Sequence, residues 1–321
     1  HRTWMPDLPE LGAYEHVNFP LPDTFFDDYA TRVPASMQEM AIGKDMRMGY
    51  DLKMFKNEKD IAQDANFSRM TAAQFAAYND FYNPIRSEYF KENLSGKELA
   101  KWKFQRYMRD YLSTVKSMDK NIGRMLDYLE KHNLKDNTII IYLSDQGFYM
   151  GEHGWFDKRW MYEESFRTPM IVSYPKLFPK GSTNDDFVLN IDLAPTFLEL
   201  AGVKVPEDIQ GKSFLPLFAK KAKPIRNQLF YHYYENGEHA VSPHFGVRTD
   251  RYKLIRYYKR CNTWELFDLK KDPKELQNVY GQKEYQKITK ELENLLLKEI
   301  RDKKDDLAEK VFFNKEFPIQ K

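Results

Sequence analysis

Asn137-Thr-Ile-Ile-Ile-Tyr-Leu143, running directly into Ser144-Asp-Gln-Gly147, is the stretch from which the rest of the chain is read. Its β-branched run is apolar at consecutive positions, as in a strand covered on both faces inside a largely parallel sheet. Just upstream, Tyr111, Val115, Met118, Ile122, Met125, Leu126 and Leu129 recur at three- and four-residue steps, which predicts a long amphipathic helix. Ser95-Gly-Lys-Glu98 supplies a capping pattern at its start, and it ends near His132-Asn133. A helix leading into such a strand is an α/β unit. Ligands of open α/β sheets gather at the carboxyl ends of the strands, so the residues from Ser144 onward are where chemistry is expected.

Further along, Thr168-Pro-Met-Ile-Val-Ser-Tyr174 reads as a second strand closed by Pro175. Asp192-Leu-Ala-Pro-Thr-Phe-Leu-Glu-Leu-Ala201 begins on a capping Asp, holds Pro195 in its first turn and stops at Gly202, the signature of a helix. The first ~45 residues, with Pro6, Pro9, Pro20, Pro22 and Pro34, show neither period and read as a long ordered surface loop, functional or linking. From about residue 225 the texture changes to alternation. Leu229–Tyr234, Phe245–Arg248, Tyr252–Tyr257 and Trp264–Leu269 suggest about four antiparallel strands. A helix from about Glu284 to Lys304 follows, with Ile288, Leu292, Leu295, Leu296 and Ile300 on one face, and Arg301–Asp306 reads as a solvated run. The fold class is therefore α/β: a mixed sheet flanked by helices over residues 1–225, and a small antiparallel sheet with a packed terminal helix over 226–321.

Composition narrows the function. Of 321 residues, 42% are hydrophobic and 15% aromatic, enough for a sizeable core and too many for a mainly disordered chain. Lys and Arg number 50 against 48 Asp and Glu, a formal +2, which argues against nucleic-acid binding by bulk positive charge. The one cysteine, Cys261, excludes an internal disulfide and a cysteine-based zinc cluster. No apolar run approaches the ~20 residues of a membrane span. The opening HRTWMPDLPELG reads like the interior of a protein, so the expectation is a fragment whose N-terminal part is missing.

At the strand end, Asp145 and Gln146 place a carboxylate and an amide carbonyl side by side, hard oxygen donors of the kind Ca²⁺ or Mg²⁺ selects. The same residues also fit an acidic turn. Downstream, His153, Asp157, Lys158 and Arg159 share one loop punctuated by Gly147, Gly151 and Gly154. Cation, imidazole and carboxylate beside a hard-metal pair suit an anionic oxyester; a surface ion-pair loop is the plainer alternative.

Ser144-Asp-Gln-Gly, Gly151-Glu-His-Gly-Trp-Phe-Asp-Lys-Arg159 and Tyr162-Glu-Glu-Ser-Phe-Arg-Thr-Pro169 together resemble the C-terminal half of the type I, formylglycine-dependent sulfatases of the alkaline-phosphatase superfamily. Asn190-Ile-Asp-Leu-Ala-Pro-Thr196 with Ala201-Gly202, Gln210-Gly-Lys-Ser-Phe-Leu215, Tyr252-Lys-Leu-Ile and Trp264–Pro273 with Asn278 resemble further motifs of that family, in the same order. The resemblance implies an alkaline-phosphatase-like fold and hydrolysis of sulfate esters on a sulfated sugar, within a glycosaminoglycan or mucin-type glycan. It implies Asp145 and Gln146 as Ca²⁺ ligands, Gln146 standing where Asn or His is more usual. It also implies Lys158, thirteen residues past Asp145, as the sulfate-binding lysine that assists the leaving oxygen, and His1 as a sulfate contact.

By the same resemblance, Asp157 and Arg159 reach the sugar, and export to the periplasm or outside the cell is the family habit; His153 is expected, from its place in the cationic loop beside the hard-donor pair, to orient or protonate the leaving oxygen. His232, His239 and His244 lie in an aromatic-rich region suited to stacking a sugar, with His244 the preferred substrate contact. The family's Cys/Ser-x-Pro-x-Arg nucleophile sequence does not occur here, and Cys261 lacks its proline and arginine. The chain is therefore expected to be incomplete as a catalyst. A non-catalytic carbohydrate-binding or structural fragment, or a phosphoester hydrolase of the same superfamily, is the competing reading.

Overall fold

The computed structural model of the chain describes residues 2–218, 223–237, 239 and 241–319. In order, its elements are helices α1 (Val33–Ser36), α2 (Glu58–Gln63), α3 (Ala72–Tyr89) and α4 (Gly96–Lys131), then strands β1 (Ile140–Leu143), β2 (Tyr149–Met150) and β3 (Phe156–Asp157). Helix α5 (Glu163–Phe166), strand β4 (Met170–Ser173) and helix α6 (Leu193–Leu200) follow. Strands β5 (Gln228–Tyr233), β6 (His244–Thr249), β7 (Tyr252–Tyr257) and β8 (Thr263–Asp268) precede helices α7 (Gln286–Asp302) and α8 (Asp306–Phe312). The chain divides into two compact units, one of His1–Asp27, Glu39–Lys135 and Phe148–Lys158, the other of Asp28–Gln38, Asp136–Gly147 and Arg159–Lys321.

Helix α4 organises the first unit. Ala100, Phe104, Tyr107 and Met108 enter a core with Trp4, Phe25, Ile42, Leu52, Tyr78 and Tyr82. The helix begins where Ser95 predicts and ends at His132, after which Asn133 takes a left-handed φ of 56° that stops it. Ser95 makes no side-chain cap hydrogen bond, and Glu98 pairs with Lys101 at 2.8 Å; α3 has a capping box instead, between Thr71 and Gln74. Three buried charges on α4 bind the preceding segment. Lys103 Nζ donates to the carbonyls of Gly43 and Met46, and Asp110 accepts from Lys53 (2.9 Å), Tyr82 (2.9 Å) and Arg106 (2.6 Å). The apolar stripe persists past residue 115, but there Met118, Met125 and Leu126 are exposed. The first 45 residues are irregular apart from a 3₁₀ turn at Leu8–Glu10 and α1.

In the second unit, β1 pairs with β4 alone among the described strands, antiparallel, with Ile140 opposite Ser173 and Leu143 opposite Met170. The largely parallel surroundings expected for β1 are therefore not seen, and the facing residues Tyr142 and Ile171 are exposed. A β-branched run specifies an extended backbone; the direction of its neighbour depends on the path of the connecting chain. The four-stranded sheet is as expected, antiparallel in the order β5-β6-β7-β8. Its alternation sorts the side chains. Phe245, Val247, Leu254 and Leu266 pack on Leu292, Leu296 and Ile300 of α7, while Tyr231, Tyr233, His244, Lys253, Tyr257 and Glu265 belong to the opposite face. The change of texture near residue 225 lies inside this unit, at the entry to β5.

Two sequence expectations are corrected here. Asp192 precedes α6, which Gly202 ends with φ 69°, but its side chain does not cap that helix. Its carboxylate, fully buried, accepts from the backbone N–H of Leu189 (2.7 Å) and Lys212 (2.8 Å) and from both terminal nitrogens of Arg226. Asp305, in the run read as solvated, caps α8 through Ala308 N and also accepts from Tyr234 and from His232 Nδ1 at 2.6 Å. A short carboxylate reaching several donors at once is worth more there than in water.

Candidate functional site

The residues singled out from the sequence fall in both units, and each group is described within its own. In the first unit, β2 and β3 form a hairpin with Tyr149 opposite Asp157 and Met150 opposite Phe156. The segment around Ala41 lies alongside it, with Phe156 N donating to Met40 O and Ile42 N to Gly154 O. Tyr107 of α4 donates its hydroxyl to Tyr149 O at 2.9 Å, fixing the hairpin to the core. Gly151 makes the turn possible: its φ is 106°, and a Cβ there would sit 2.6 Å from Phe104.

His153, expected at the substrate, is fully buried at the tip of this hairpin. Its Nδ1 lies 2.8 Å from Asp27 Oδ2, its backbone N–H donates to Thr24 Oγ1, and its ring packs by Tyr149 and Trp155. In this arrangement it anchors the loop. Asp157 and Lys158 follow at the end of β3, each only 7% exposed. Backbone strain concentrates here: His153, Asp157 and Arg159 have φ of 54°, 75° and 85°, values that L side chains seldom adopt. Non-glycine residues persist in that region when surrounding structure overdetermines them, which happens at ligand-binding positions. Arg2, which was not singled out from the sequence, grips buried Asp51 and approaches Asp157. His1 lies outside the described residues.

In the second unit, the Ser144–Gly147 turn leaves β1 with Ser144 Oγ donating to Gln146 O at 2.7 Å. Gly147 N donates to Ser165 O, and its backbone lies so close to α5 that a Cβ would fall 2.1 Å from Glu164 O. That contact locks the turn and leaves Asp145 exposed and Gln146 half-buried. Their oxygens have the hard-donor character a Ca²⁺ ion takes, but such an ion uses six to eight oxygens, and among the described residues no three His, Cys, Asp or Glu gather as a metal site. The pair fits the chemistry of a calcium site without completing one.

His244, at the start of β6, is fully buried among the rings of Trp160, Tyr231, Tyr233 and Tyr257, with centroids 5.0 to 5.7 Å away. Nδ1 donates to Ser242 O at 2.8 Å, which leaves Nε2 as the acceptor of a neutral ring, with no hydrogen-bond partner among the described residues. Burial pushes the imidazole down to about 3, so it stays neutral. Arg159 is close enough to Tyr231 and Tyr233 for its charge to oppose the upward push of burial on both phenols, that of Tyr231 reaching about 12. Arg159, His244, Tyr231 and Tyr233 thus form one aromatic and cationic cluster. The two tyrosines were missed individually, although the alternation of β5 puts them on one face opposite His244 and Gly246.

The other two histidines of the aromatic-rich region have carboxylate partners. His232 bridges Asp305 and the hydroxyl of Tyr258, and His239 contacts Glu235. Behind the cluster, Lys253 lies between Glu163 (2.9 Å) and Glu275 (2.7 Å), and Tyr162 and Tyr257 both donate to Glu265. Burial disfavours the Glu163 carboxylate, but Lys253 and Arg248 outweigh it and hold it down to about 2; burial lifts Glu265 to about 7. Burial likewise pushes the Cys261 thiol up to about 12, which keeps it protonated and unreactive.

The family profile described as Sulfatase matches residues 20–203, and that described as N-sulphoglucosamine sulphohydrolase, C-terminal, matches 151–303. The chain belongs to the sulfatase family. It is 45% identical over 326 aligned positions to the N-acetylglucosamine-6-O-sulfatase of Bacteroides thetaiotaomicron, covering 98% of this chain and 58% of that protein. It is 32% identical to the arylsulfatase of Clostridium perfringens over 65% of this chain and 43% of that one. Among solved structures, BT4656 in complex with its substrate D-glucosamine-2-N,6-O-disulfate superposes with a TM-score of 0.90 at 45% identity, over 95% of this chain and 64% of that one. The α/β architecture with a C-terminal antiparallel sheet is that of the family. No helix among the described residues is long and apolar enough to cross a membrane.

Proposed function

We propose that the protein carrying this chain hydrolyses a sulfate ester of a glucosamine-type sugar, with the 6-O-sulfate as the group removed and a glycosaminoglycan or mucin-type glycan as its source. The observation that carries this reading is the 45% identity, over 98% of the chain, to an N-acetylglucosamine-6-O-sulfatase. The reaction adds water across the ester: the S–O bond to the sugar breaks, sulfur gains a hydroxyl oxygen, and the sugar oxygen gains a proton. Lys158, buried and cationic, is suited to neutralise the sulfate oxygens and to protonate the departing sugar oxygen. Asp157 would accept from sugar hydroxyls and Arg159 would donate to them. The neutral Nε2 of His244 would accept a further hydroxyl, and His1 would contact the sulfate.

Asp145 and Gln146 would supply two of the oxygens around a Ca²⁺ ion, whose chemistry is positive charge against the sulfate. The same reading puts the protein in the periplasm or outside the cell, where sulfated glycans are met. The test is sulfate release from glucosamine 6-sulfates, set against 4-O-sulfated sugars and phosphate monoesters. We expect preference for the 6-sulfate, and about 10²–10⁴-fold slower turnover in Lys158→Ala while the variant keeps the wild-type far-UV circular dichroism. Equal turnover in that variant removes the assigned role of Lys158, and faster phosphate release removes the sulfatase reading.

A further inference from the structure

Asp157 does not stand alone at the end of β3. Arg2 Nε lies 2.6 Å from Asp51 Oδ1 and Nη2 lies 2.9 Å from Asp51 Oδ2, a bidentate fork on a carboxylate with no solvent exposure. The other face of that carboxylate is held too, since Asp51 Oδ2 accepts from Arg47 N at 2.7 Å. The guanidinium also lies over the rings of Phe156, at 5.0 Å, and Tyr50, at 5.6 Å. An arginine clamped by a fork and two rings has one direction left for its remaining nitrogen, and Nη1 is 3.9 Å from Asp157 Oδ2.

We infer that Arg2, fixed by Asp51, is a positioning residue that sets the orientation of the Asp157 carboxylate and thereby the selectivity for sugar sulfates over simple aryl sulfates. This rests on the reading of Asp157 as a sugar contact. The fork suits Arg2 to this role, because Asp51 fixes the guanidinium in place with its Nη1 3.9 Å from Asp157 Oδ2. Asp157 needs such support. Its backbone lies in the left-handed region at φ 75°, and a carboxylate able to swing would accept a sugar hydroxyl in fewer productive geometries. Arg2 also adjoins His1 in sequence, so an effect on sulfate handling is the outcome from which sugar selectivity must be separated.

The experiment compares kcat/KM on a 6-O-sulfated glucosamine with kcat/KM on 4-nitrophenyl sulfate, in the full-length protein and in Asp157→Asn, Arg2→Met and the double variant. Asp157→Asn is expected to lower the sugar-to-aryl ratio about tenfold or more. Arg2→Met is expected to lower it by a similar factor, chiefly through KM, and the double variant to be no worse than Asp157→Asn. If Arg2→Met slows both substrates equally, or if the two losses multiply in the double variant, Arg2 does not act through Asp157 and the inference fails while the role of Asp157 stands. An unchanged ratio in Asp157→Asn removes both. Should Arg2→Met not fold, Asp51→Asn opens the same fork from the other side and must reproduce the loss; a full ratio there overturns the inference.

Discussion

Asp192→Asn offers a sharp quantitative test of the packing in the second unit. The wild-type carboxylate is fully buried, its partner Arg226 is only 9% exposed, and four donors converge on its two oxygens. Removing one member of a buried ion pair leaves the other charge poorly compensated, at about 3–5 kcal/mol. Asparagine is isosteric and keeps one oxygen for the Leu189 or Lys212 N–H, but it turns an NH₂ group towards a guanidinium or a second N–H. The loss therefore sits near the lower limit, roughly 3 kcal/mol, and about 2–4 °C per kcal/mol makes this roughly 6–12 °C in Tm.

The assay is urea unfolding followed by far-UV circular dichroism, with Arg226→Met and the double variant completing a cycle. Strong non-additivity is expected, since the second substitution removes a charge the first has already stranded. A loss below about 1 kcal/mol, with additive singles, would refute the reasoning and return Asp192 to the role of a dispensable helix-flanking residue.

Three further outcomes follow from the same geometry. Gly151→Ala, with a φ of 106° and Phe104 2.6 Å from the new methyl, should destabilise the first unit by about 1–3 kcal/mol in chemical denaturation; no change would mean the hairpin turn has slack. Leu296→Ala, at a fully buried position of α7, should cost about 2–5 kcal/mol, and a shift under 1 kcal/mol would place Leu296 outside the core. For His244, an unfolded histidine titrates near 6.5 and burial holds the folded one down to about 3. Between these values the unfolded chain binds the extra proton, so this contribution to stability is complete above pH ~6.5 and is lost as the pH falls towards 3, by up to about 1.4 kcal/mol per unit. The His244 ring proton should stay flat by NMR from pH 8 to about 4.5; a midpoint above about 5 would show the ring to be solvated.

What the sequence makes legible are the elements that bury one face and leave the other wet. The four strands from β5 to β8 and the stripe of α7 carry their period openly, whereas the stripe read in α4 from Tyr111 to Leu129 runs out into solvent and the core contacts come from Ala100, Phe104, Tyr107 and Met108. Helix α3 carries no open period, because its buried positions Tyr78, Tyr82 and Arg86 form a sparse stripe interrupted by Pro84. Local patterns also mislead where a side chain has a better distant partner: Asp192 prefers Arg226. The loop from His153 to Arg159 stands out by residue type and glycine spacing. Arg2 and Asp51 are 49 positions apart and meet only through folding, and nothing local marks Tyr231 and Tyr233 as neighbours of Arg159.

The alternation of β5 has a consequence for how this region tolerates change. Tyr231 and Tyr233 face His244, while Phe230 and His232 face the other way, His232 reaching Asp305 ahead of α8. A deletion or insertion of a single residue within β5 would exchange the two sets. The aromatic walls around His244 and the tie to the terminal helices would then be lost in one event, though every residue type was retained. Changes of length in this subdomain should therefore survive only outside its strands, and variation within β5 should proceed by substitution, never by indel.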